Sequence, residues 1–352
     1  MREKSYFDER TANSLKKIRA IAGELPYFAE QFFIGIENRT TPLTRLNYAY
    51  DLRIFFDFLS KKTFKGKTPA EIGLDDLNQL SSDDIELFLS YLSSYTVNGK
   101  TETCTERGKA RKLATIRSFF KFFFNKGALT ANVAAKVSMP KLHEKEIVRL
   151  ESNGKINEIA AILNTADTGN GLTEKQQQFH KQTRVRDVAI LTLFLGTGIR
   201  ISELVGIDTE DIDFNTSAFV VTRKGGDRKT LYFGAEVRAA LEDYATERAN
   251  NPLAKEERAF FLSLQNRRIS TRTVQELVKK YAKIVSPLKK ITPHKLRSTF
   301  GTNLYRKTHD IYVAAATLGH KDVNTTKKHY ADITDDIIKN AVTSVKLRDK
   351  DD

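Results

Sequence analysis

Apolar residues recur at helical spacing through the first 145 residues of the chain. This pattern predicts amphipathic helices over residues 25–38, 41–62, 81–95 and 103–127. A Thr-Pro pair opens the second of these segments and a glycine closes the fourth, and both are typical helix boundary signals. The first part of the chain is therefore predicted to be helical.

The pattern changes in the second half of the chain. We predict a buried helix over 186–198, a three-stranded antiparallel meander over 212–233, and a polar loop over 165–185, which is rich in Gln, Thr and Gly. Further helices are predicted at 235–249, 271–285, 293–307, 310–318, 325–331 and 334–347.

Length and charge indicate two domains and a polyanionic partner. With 352 residues, the chain is long for a single core. Lys and Arg number 58 against 44 Asp and Glu, a surplus that favours nucleic acid as the partner, with plain solubility as the alternative. We predict a mainly α protein built as a two-domain DNA clamp. A helical N-terminal domain (1–136) and a linker (137–147) precede an α+β domain with a small antiparallel three-stranded sheet (148–352).

Cysteine content and hydropathy bear on the compartment. Cys104 is the single cysteine, so no intrachain disulfide can form, which suits a reducing environment. The charged N-terminal stretch lacks the apolar core of a signal peptide, and the longest apolar run is too short to span a bilayer. We expect a cytoplasmic protein that does not enter the membrane.

The predicted helix over 103–127 combines a basic face with an aromatic one. Arg107 and Arg111 share a face by their spacing of four residues, as do Arg117 and Lys121. Such a face can follow a phosphate backbone, and the alternative is an ordinary solvated surface. We take these four cations as candidate DNA-binding residues.

Four short polar segments of the second half carry candidate chemistry. In the first, Thr292 and Pro293 open a helix that places His294 and Arg297 one turn apart at its positive end, where an anion is favoured. A surface His–Arg pair without function is the alternative reading of this segment.

The second and third segments each contribute one cation. Arg200 follows two glycines directly after the long apolar helix, and a structural ion pair with Glu203 or Glu210 is the alternative to a functional anion site. Lys224 lies at the tip of a Gly-Gly hairpin, where a lysine can reach into a groove or serve solubility alone.

The fourth segment contains His320, directly after Gly319, and Tyr330 in a short lysine-bearing stretch. A tyrosine in such a polar stretch is not an obvious core residue. A hinge aromatic with a buried ring and a hydrated hydroxyl is the alternative.

Taken in order, the segments TGIRISEL, RKGGDRK, HKLR, LGH and HY resemble the signature of the tyrosine recombinases, the phage-integrase and Xer group. The resemblance extends over essentially the whole chain. It implies strand exchange through a covalent 3′-phosphotyrosine. It also implies six catalytic residues: Arg200, Lys224, His294, Arg297, His320 and Tyr330.

The resemblance implies a role for each of these residues. Arg200 and Arg297 would grip the non-bridging oxygens of the phosphodiester. Lys224 would protonate the leaving 5′-oxygen, the two histidines would donate hydrogen bonds or carry a proton, and Tyr330 would be the nucleophile. A covalent intermediate conserves the energy of the broken bond, so we expect neither a cofactor nor a metal.

Several biological roles fit this chemistry. The resemblance favours Xer-type resolution of circular DNA dimers, and the alternatives are a mobile-element integrase, a type IB topoisomerase and a non-catalytic DNA-binding regulator. The expected partner is double-stranded DNA with a specific recombination site. A homotetramer on that DNA is expected, with the apolar stripe of helix 334–347 linking protomers, and a motor or accessory protein is a further possible partner.

Overall fold

The computed structural model describes residues 5–97, 99–142, 148–153, 156–223, 226–254 and 257–319. Contacts between Cα atoms divide the chain into two units, Met1–Lys145 and Glu146–Asp352, and the division falls inside the segment predicted as a linker. The limits of the two domains and of the linker remain predictions. Outside the described residues lie Lys224, His320, Tyr330 and the helices predicted at 325–331 and 334–347.

The described part of the N-terminal unit consists of helices and one short hairpin. The helices are α1 (Tyr6–Ala22), α2 (Ala29–Gly35), α3 (Pro42–Phe58), α4 (Leu74–Asn78), α5 (Ser82–Tyr91), α6 (Glu106–Asn125) and α7 (Val133–Lys136). Strands β1 (Tyr95–Val97) and β2 (Lys100–Glu102) pair antiparallel before α6. The four helices predicted from the sequence correspond to α2, α3, α5 and α6, each shorter than predicted, whereas α1 and the hairpin were not predicted.

Aromatic rings fill the core of this unit. Phe119 and Phe120 on α6 have no exposed surface, and Phe123 is 1% exposed. The ring of Phe119 meets those of Phe32 and Phe56 edge to face, with centroids 5.1 and 5.8 Å apart. Each fully buried phenylalanine contributes about 1.5–3 kcal/mol. This packing fixes the rotation of α6, so that Arg107, Arg111 and Lys121 are exposed, whereas Lys112 is buried.

The C-terminal unit combines helices with short antiparallel strands. Its helices are α8 (Glu158–Thr168), α9 (Glu174–Thr197), α10 (Ile201–Val205), α11 (Ala235–Ala249), α12 (Thr271–Val285), α13 (Pro293–Thr308) and α14 (Ile311–Leu318). Its strands are β3 (Ser152–Asn153), β4 (Ile156–Asn157), β5 (Ile212–Asp213), β6 (Ala218–Thr222) and β7 (Arg228–Tyr232). The mainly helical fold with a small three-stranded antiparallel sheet is confirmed.

The prediction of a polar loop over 165–185 is wrong. Helix α8 continues to Thr168 and α9 begins at Glu174, so few residues of this range lie outside a helix. Thr173 starts α9 with a capping box, in which its N–H donates to the side chain of Gln176 at 3.0 Å. Gln, Glu and Lys are good helix formers, and a helix that exposes them to water has the same polar composition as a loop.

The three-stranded sheet follows the predicted order, with β6 between β5 and β7. On β6, Phe219 and Val221 are 1% and 2% exposed, so one face of the strand packs into the core. Val221 lies opposite Lys229 of β7. This register places the ends of both strands next to the hairpin tip that carries Lys224 in the sequence.

Helices α9, α13 and α14 pack together and bring their ends to one place. Helix α13 packs against both α9 and α14. Helix α9 ends at Gly198 and α14 ends at Gly319, each in the left-handed conformation typical of a helix C-terminus. Among the described residues, none of the helices combines the length and the apolar character that crossing a bilayer requires.

Candidate active site

Arg297 joins the ends of two helices. It lies in the second turn of α13 and is only 6% exposed. Its Nη1 donates to the carbonyl of Gly198 after α9, and its Nη2 donates to the carbonyl of Leu318 at the end of α14. Carbonyls at a helix C-terminus lack partners within the helix and carry the negative end of its dipole. A forked guanidinium therefore satisfies both ends at once.

Arg200 is the N-cap residue of α10, and a buried carboxylate orients its side chain. Its Nη1 lies 2.8 Å from Oε1 of Glu203, and its backbone N–H donates to Oε2 of the same group at 3.0 Å. The side chain of Glu203 is 3% exposed, whereas that of Arg200 is 38% exposed. The arginine is thus held from one side and remains open to a ligand on the other.

The two arginines meet at the end of α14. Nη2 of Arg200 donates to the carbonyl of Gly319 at 3.3 Å, and Arg297 donates to the carbonyl of Leu318, the preceding residue. Two arginines from distant parts of the sequence therefore donate to the carbonyls of consecutive residues. Two such forks can bind the non-bridging oxygens of one phosphodiester.

The backbone at this junction requires glycine. Gly198 and Gly319 have φ angles of +63° and +64°, which residues with a side chain rarely adopt. A Cβ atom on Gly198 would overlap the ring of Phe300, and one on Gly319 would overlap the guanidinium of Arg223. The two glycines therefore allow the helix ends and the arginines to approach closely.

Arg223 contributes a third guanidinium beside the junction. Its Nε lies 3.9 Å from Oε1 of Glu203, the oxygen that also contacts Arg200, and its side chain is 17% exposed. Burial lowers the pKa of Arg223; the charge of Glu203 opposes this effect and the charge of Arg200 adds to it. Arg223 is not among the site residues predicted from the sequence.

Strand alternation is the signal that points to Arg223. Phe219 and Val221 are buried, and the two-residue period of β6 continues to position 223 on the same face. On the partner strand, Lys229 lies opposite Val221, and its Nζ donates to the carbonyl of Ala316 in α14 at 2.9 Å. The hairpin is thus attached to the helix that ends in the arginine junction.

His294 lies in the first turn of α13, three residues before Arg297, and is exposed. Thr292 is the N-cap residue of this helix, as predicted, although its side chain makes no capping hydrogen bond. Lys224, His320 and Tyr330 lie outside the described residues, and their roles remain predictions. In the ranges that the structure describes, we find no group of three or more His, Cys, Asp or Glu side chains that could hold a metal ion.

The basic face of α6 contains cations in different settings. Arg107 and Lys121 are exposed. Arg111 is also exposed but forms an ion pair with Asp51 of α3, whose side chain is 1% exposed and also accepts a hydrogen bond from Thr115 at 2.9 Å. Burial raises the pKa of Asp51, while Arg111 and Thr115 oppose that rise.

Arg117 has partners inside the N-terminal unit. Its Nε donates to the carbonyl of Ala134 at 3.1 Å, and its Nη2 donates to the carbonyl of Val137. Both carbonyls belong to buried residues in and after α7. This arginine therefore connects two helices, and its contact with DNA remains a prediction, as it does for Arg107, Arg111 and Lys121.

The paired guanidiniums and the basic charge of the chain fit a class of enzymes that bind and transfer a DNA phosphodiester. Comparison with known families supports this class. Residues 155–336 match the "Phage integrase family", and residues 29–127 match "Phage integrase, N-terminal SAM-like domain". The chain therefore belongs to the phage integrase family of tyrosine recombinases.

Relatives with similar sequences carry Xer names. The chain is 33% identical over 329 residues to "Tyrosine recombinase XerC" of Caldanaerobacter subterraneus subsp. tengcongensis, with 90% of this chain and 86% of the relative covered. It is 29% identical to "Tyrosine recombinase XerS" of Streptococcus mutans, with 93% and 98% covered. The recombinase class predicted from the order of the motifs is confirmed.

Solved structures share the fold. XerH bound to a palindromic difH substrate, in a post-cleavage complex, matches with a TM-score of 0.61 at 16% identity, covering 86% of this chain and 80% of that one. A lambda integrase dimer bound to a COC′ core site matches with a TM-score of 0.60 at 17% identity, covering 93% and 98%. At these identities, the likeness shows a common fold.

Proposed function

We propose that this protein is a site-specific recombinase that cleaves and rejoins double-stranded DNA through a covalent 3′-phosphotyrosine at Tyr330. The main support is the meeting of Arg200 and Arg297 at the carbonyls of consecutive residues. Attack on a phosphodiester builds negative charge on its non-bridging oxygens, and two permanently charged forks held in place stabilise that charge.

The remaining steps are assigned to the other predicted residues. Lys224 protonates the leaving 5′-oxygen as general acid. Tyr330 attacks the phosphorus, and because a phenol has an unperturbed pKa of about 10, it needs the cationic surroundings to react as phenolate. His294 and His320 donate hydrogen bonds to the phosphate or carry a proton. The phosphotyrosine keeps the energy of the broken bond, so rejoining uses no nucleotide and no metal.

We assign DNA contacts to both predicted domains. Residues 1–136 bind the recombination site, 137–147 form the linker, and 148–352 cleave the strand. A lambda integrase tetramer bound to a Holliday junction shares the fold, with a TM-score of 0.57 at 18% identity. For this chain, we propose a homotetramer on DNA in which the apolar stripe of 334–347 links neighbouring protomers.

Within this chemistry, we propose Xer-type resolution of circular DNA dimers, with a motor or accessory protein as a further partner. Support comes from the XerC and XerS relatives, because the similarity covers most of both chains. Mobile-element integration is the second candidate, since the fold is shared with the Tn1549 transposon integrase at a TM-score of 0.58. A plasmid carrying two directly repeated sites distinguishes these two candidate functions. A resolving enzyme should convert the plasmid into two circles, whereas an integrase should favour insertion of a donor circle into a target.

Covalent capture tests the recombinase chemistry. We would incubate the protein with a library of nicked duplexes, in which cleavage releases a short 5′-hydroxyl fragment, and recover adducts that survive denaturation. The protein should yield adducts, and Tyr330→Phe should yield none. Tyr312→Phe is the matched control, because this tyrosine of α14 is 70% exposed. Equal adduct yields from Tyr330→Phe and the unchanged protein would refute the assignment.

A further inference from the structure

Two arginines of the junction share a single carboxylate. In the described residues, Arg200 and Arg223 both form their ion-pair contact with Oε1 of Glu203, at 2.8 and 3.9 Å. Arg297 also belongs to this junction, where it donates to the carbonyls of Gly198 and Leu318. One carboxylate cannot neutralise both Arg200 and Arg223, so this pair favours the arrival of an anion.

Of the two arginines that contact Glu203, Arg223 is held less closely. Its Nε is buried, and no atom of the described residues accepts a hydrogen bond from it. At 3.9 Å, the oxygen of Glu203 is beyond hydrogen-bonding distance. A buried donor without an acceptor is destabilising, and such a group calls for an explanation in function.

The position of Arg223 is fixed by its surroundings. Its backbone N–H donates to the carbonyl of Asp227 at 2.7 Å, and its carbonyl accepts from the N–H of Gly226 at 3.0 Å. Its guanidinium fills the space that a side chain at Gly319 would need. Cations held in place before a ligand arrives stabilise developing charge most effectively, because no reorganisation is needed during the reaction.

We propose that Arg223 is a third phosphate-binding arginine, whose guanidinium contacts the scissile phosphodiester together with Arg200 and Arg297. This inference rests on the proposed function and deepens it. In the sequence, Arg223 directly precedes Lys224, the proposed general acid. A solvated hairpin cation would have no contact with the junction, whereas Arg223 lies against Gly319 at its centre.

The charge of the scissile group provides the decisive test. We would take a duplex recovered by covalent capture and measure its single-turnover cleavage in two forms. One form has a phosphate at the scissile position, and the other has a neutral methylphosphonate there. Arg223→Met should slow cleavage of the phosphate on the order of 10²-fold, as loss of one charge-stabilising donor does. On the methylphosphonate the loss should be much smaller, because a charged oxygen is absent. Arg223→Lys should lie between Arg223→Met and the unchanged protein.

Arg228→Met is the matched control. Arg228 belongs to the same hairpin, but its side chain is 65% exposed and pairs with Asp211 at 2.9 Å. Its replacement should leave both cleavage rates unchanged. Affinity for the intact duplex and thermal unfolding, measured for every variant, report on correct folding. If Arg223→Met does not fold, cleavage of the same two substrates is compared for Arg223→Lys instead.

The outcomes separate the inference from the proposed function. An equal loss on both substrates would mean that Arg223 only shapes the hairpin, and no loss would mean that it is a bystander. Either result overturns the inference, while adduct formation by the unchanged protein still supports the recombinase. If the unchanged protein forms no adduct with any duplex, the proposed function fails and the inference falls with it.

Discussion

Arg200 and Arg297 donate hydrogen bonds to the carbonyls of adjacent residues, Gly319 and Leu318. The groups proposed to bind the phosphate are therefore the same groups that hold the end of α14. Arg297 is almost fully buried, whereas Arg200 is partly open. Substitutions in this junction should therefore lower both the free energy of unfolding and the rate of cleavage. The loss of stability should be larger for the buried Arg297 than for the partly open Arg200.

Arg297→Lys should impair both folding stability and cleavage. An ammonium group is a point charge that cannot span the carbonyls of Gly198 and Leu318 as the guanidinium fork does. A carbonyl left without its donor costs about 1–3 kcal/mol, and we expect a loss of this size in urea unfolding. Adduct formation in single-turnover assays should fall on the order of 10²-fold.

Arg228→Lys is the control for this prediction, since Arg228 is exposed on the hairpin surface. It should change neither the unfolding free energy nor the rate of adduct formation. A stable and fully active Arg297→Lys protein would contradict the role of the fork.

Glu203→Gln should slow cleavage without weakening the binding of DNA. The carboxylate orients Arg200 by a charge-assisted hydrogen bond of 2.8 Å. Hydrogen bonds to charged groups contribute about 1.5–3 kcal/mol, which corresponds to roughly tenfold or more in rate. Glu242→Gln is the control, because Glu242 forms an exposed ion pair with Arg238 on α11. A Glu203→Gln protein that cleaves at the unchanged rate would show that Arg200 needs no orienting carboxylate.

The order of short motifs predicted the recombinase class because the family combines the residue types that the chemistry requires with a characteristic order along the chain. Arg200 and Arg297 are predicted in this way, and Glu203 is named, together with Glu210, as a candidate ion-pair partner of Arg200; the structure shows the pair with Glu203. Local spacing is sufficient for such contacts. The meeting of the two arginines at Leu318 and Gly319 depends on how three helices pack and could only be expected from the family resemblance.

Features that depend on long-range packing were missed. From the sequence alone, Arg223 would be predicted to be an exposed cation of the hairpin. Its contact with Gly319 exists only because the sheet lies against α14. Arg117 reads as part of a basic helix face, whereas its guanidinium reaches the carbonyls of α7. The error at 165–185 has a different cause, because a polar composition describes an exposed helix as well as a loop.

A sulfur leaving group should identify the general acid. Lys224→Met should slow cleavage of an ordinary duplex by about 10²–10⁴-fold, the usual contribution of general acid catalysis. On a duplex with a 5′-bridging phosphorothiolate, the rate should return close to that of the unchanged protein. A thiol has a pKa of about 8.5 and therefore leaves without the help of an acid.

Lys229→Met provides the comparison for this experiment. Burial and the charge of Arg223 lower the pKa of Lys229, as a general acid would require, yet its Nζ is engaged with the carbonyl of Ala316. We expect its loss to slow cleavage of both duplexes equally, because it holds the hairpin on α14. If the phosphorothiolate duplex restores cleavage by Lys229→Met and not by Lys224→Met, then Lys229 is the general acid and Lys224 has the structural role.

The cations of α6 should separate into DNA contacts and structural links. Replacing exposed Arg107 or Lys121 by Gln should lower the slope of log affinity against log salt by about 0.9 for each lost phosphate contact, measured by anisotropy titrations. Arg117→Gln should leave that slope unchanged and reduce the unfolding free energy by about 1–3 kcal/mol, because a buried carbonyl loses its donor. If Arg117→Gln changes the slope at full stability, this arginine belongs with the DNA contacts, and the link to α7 is dispensable.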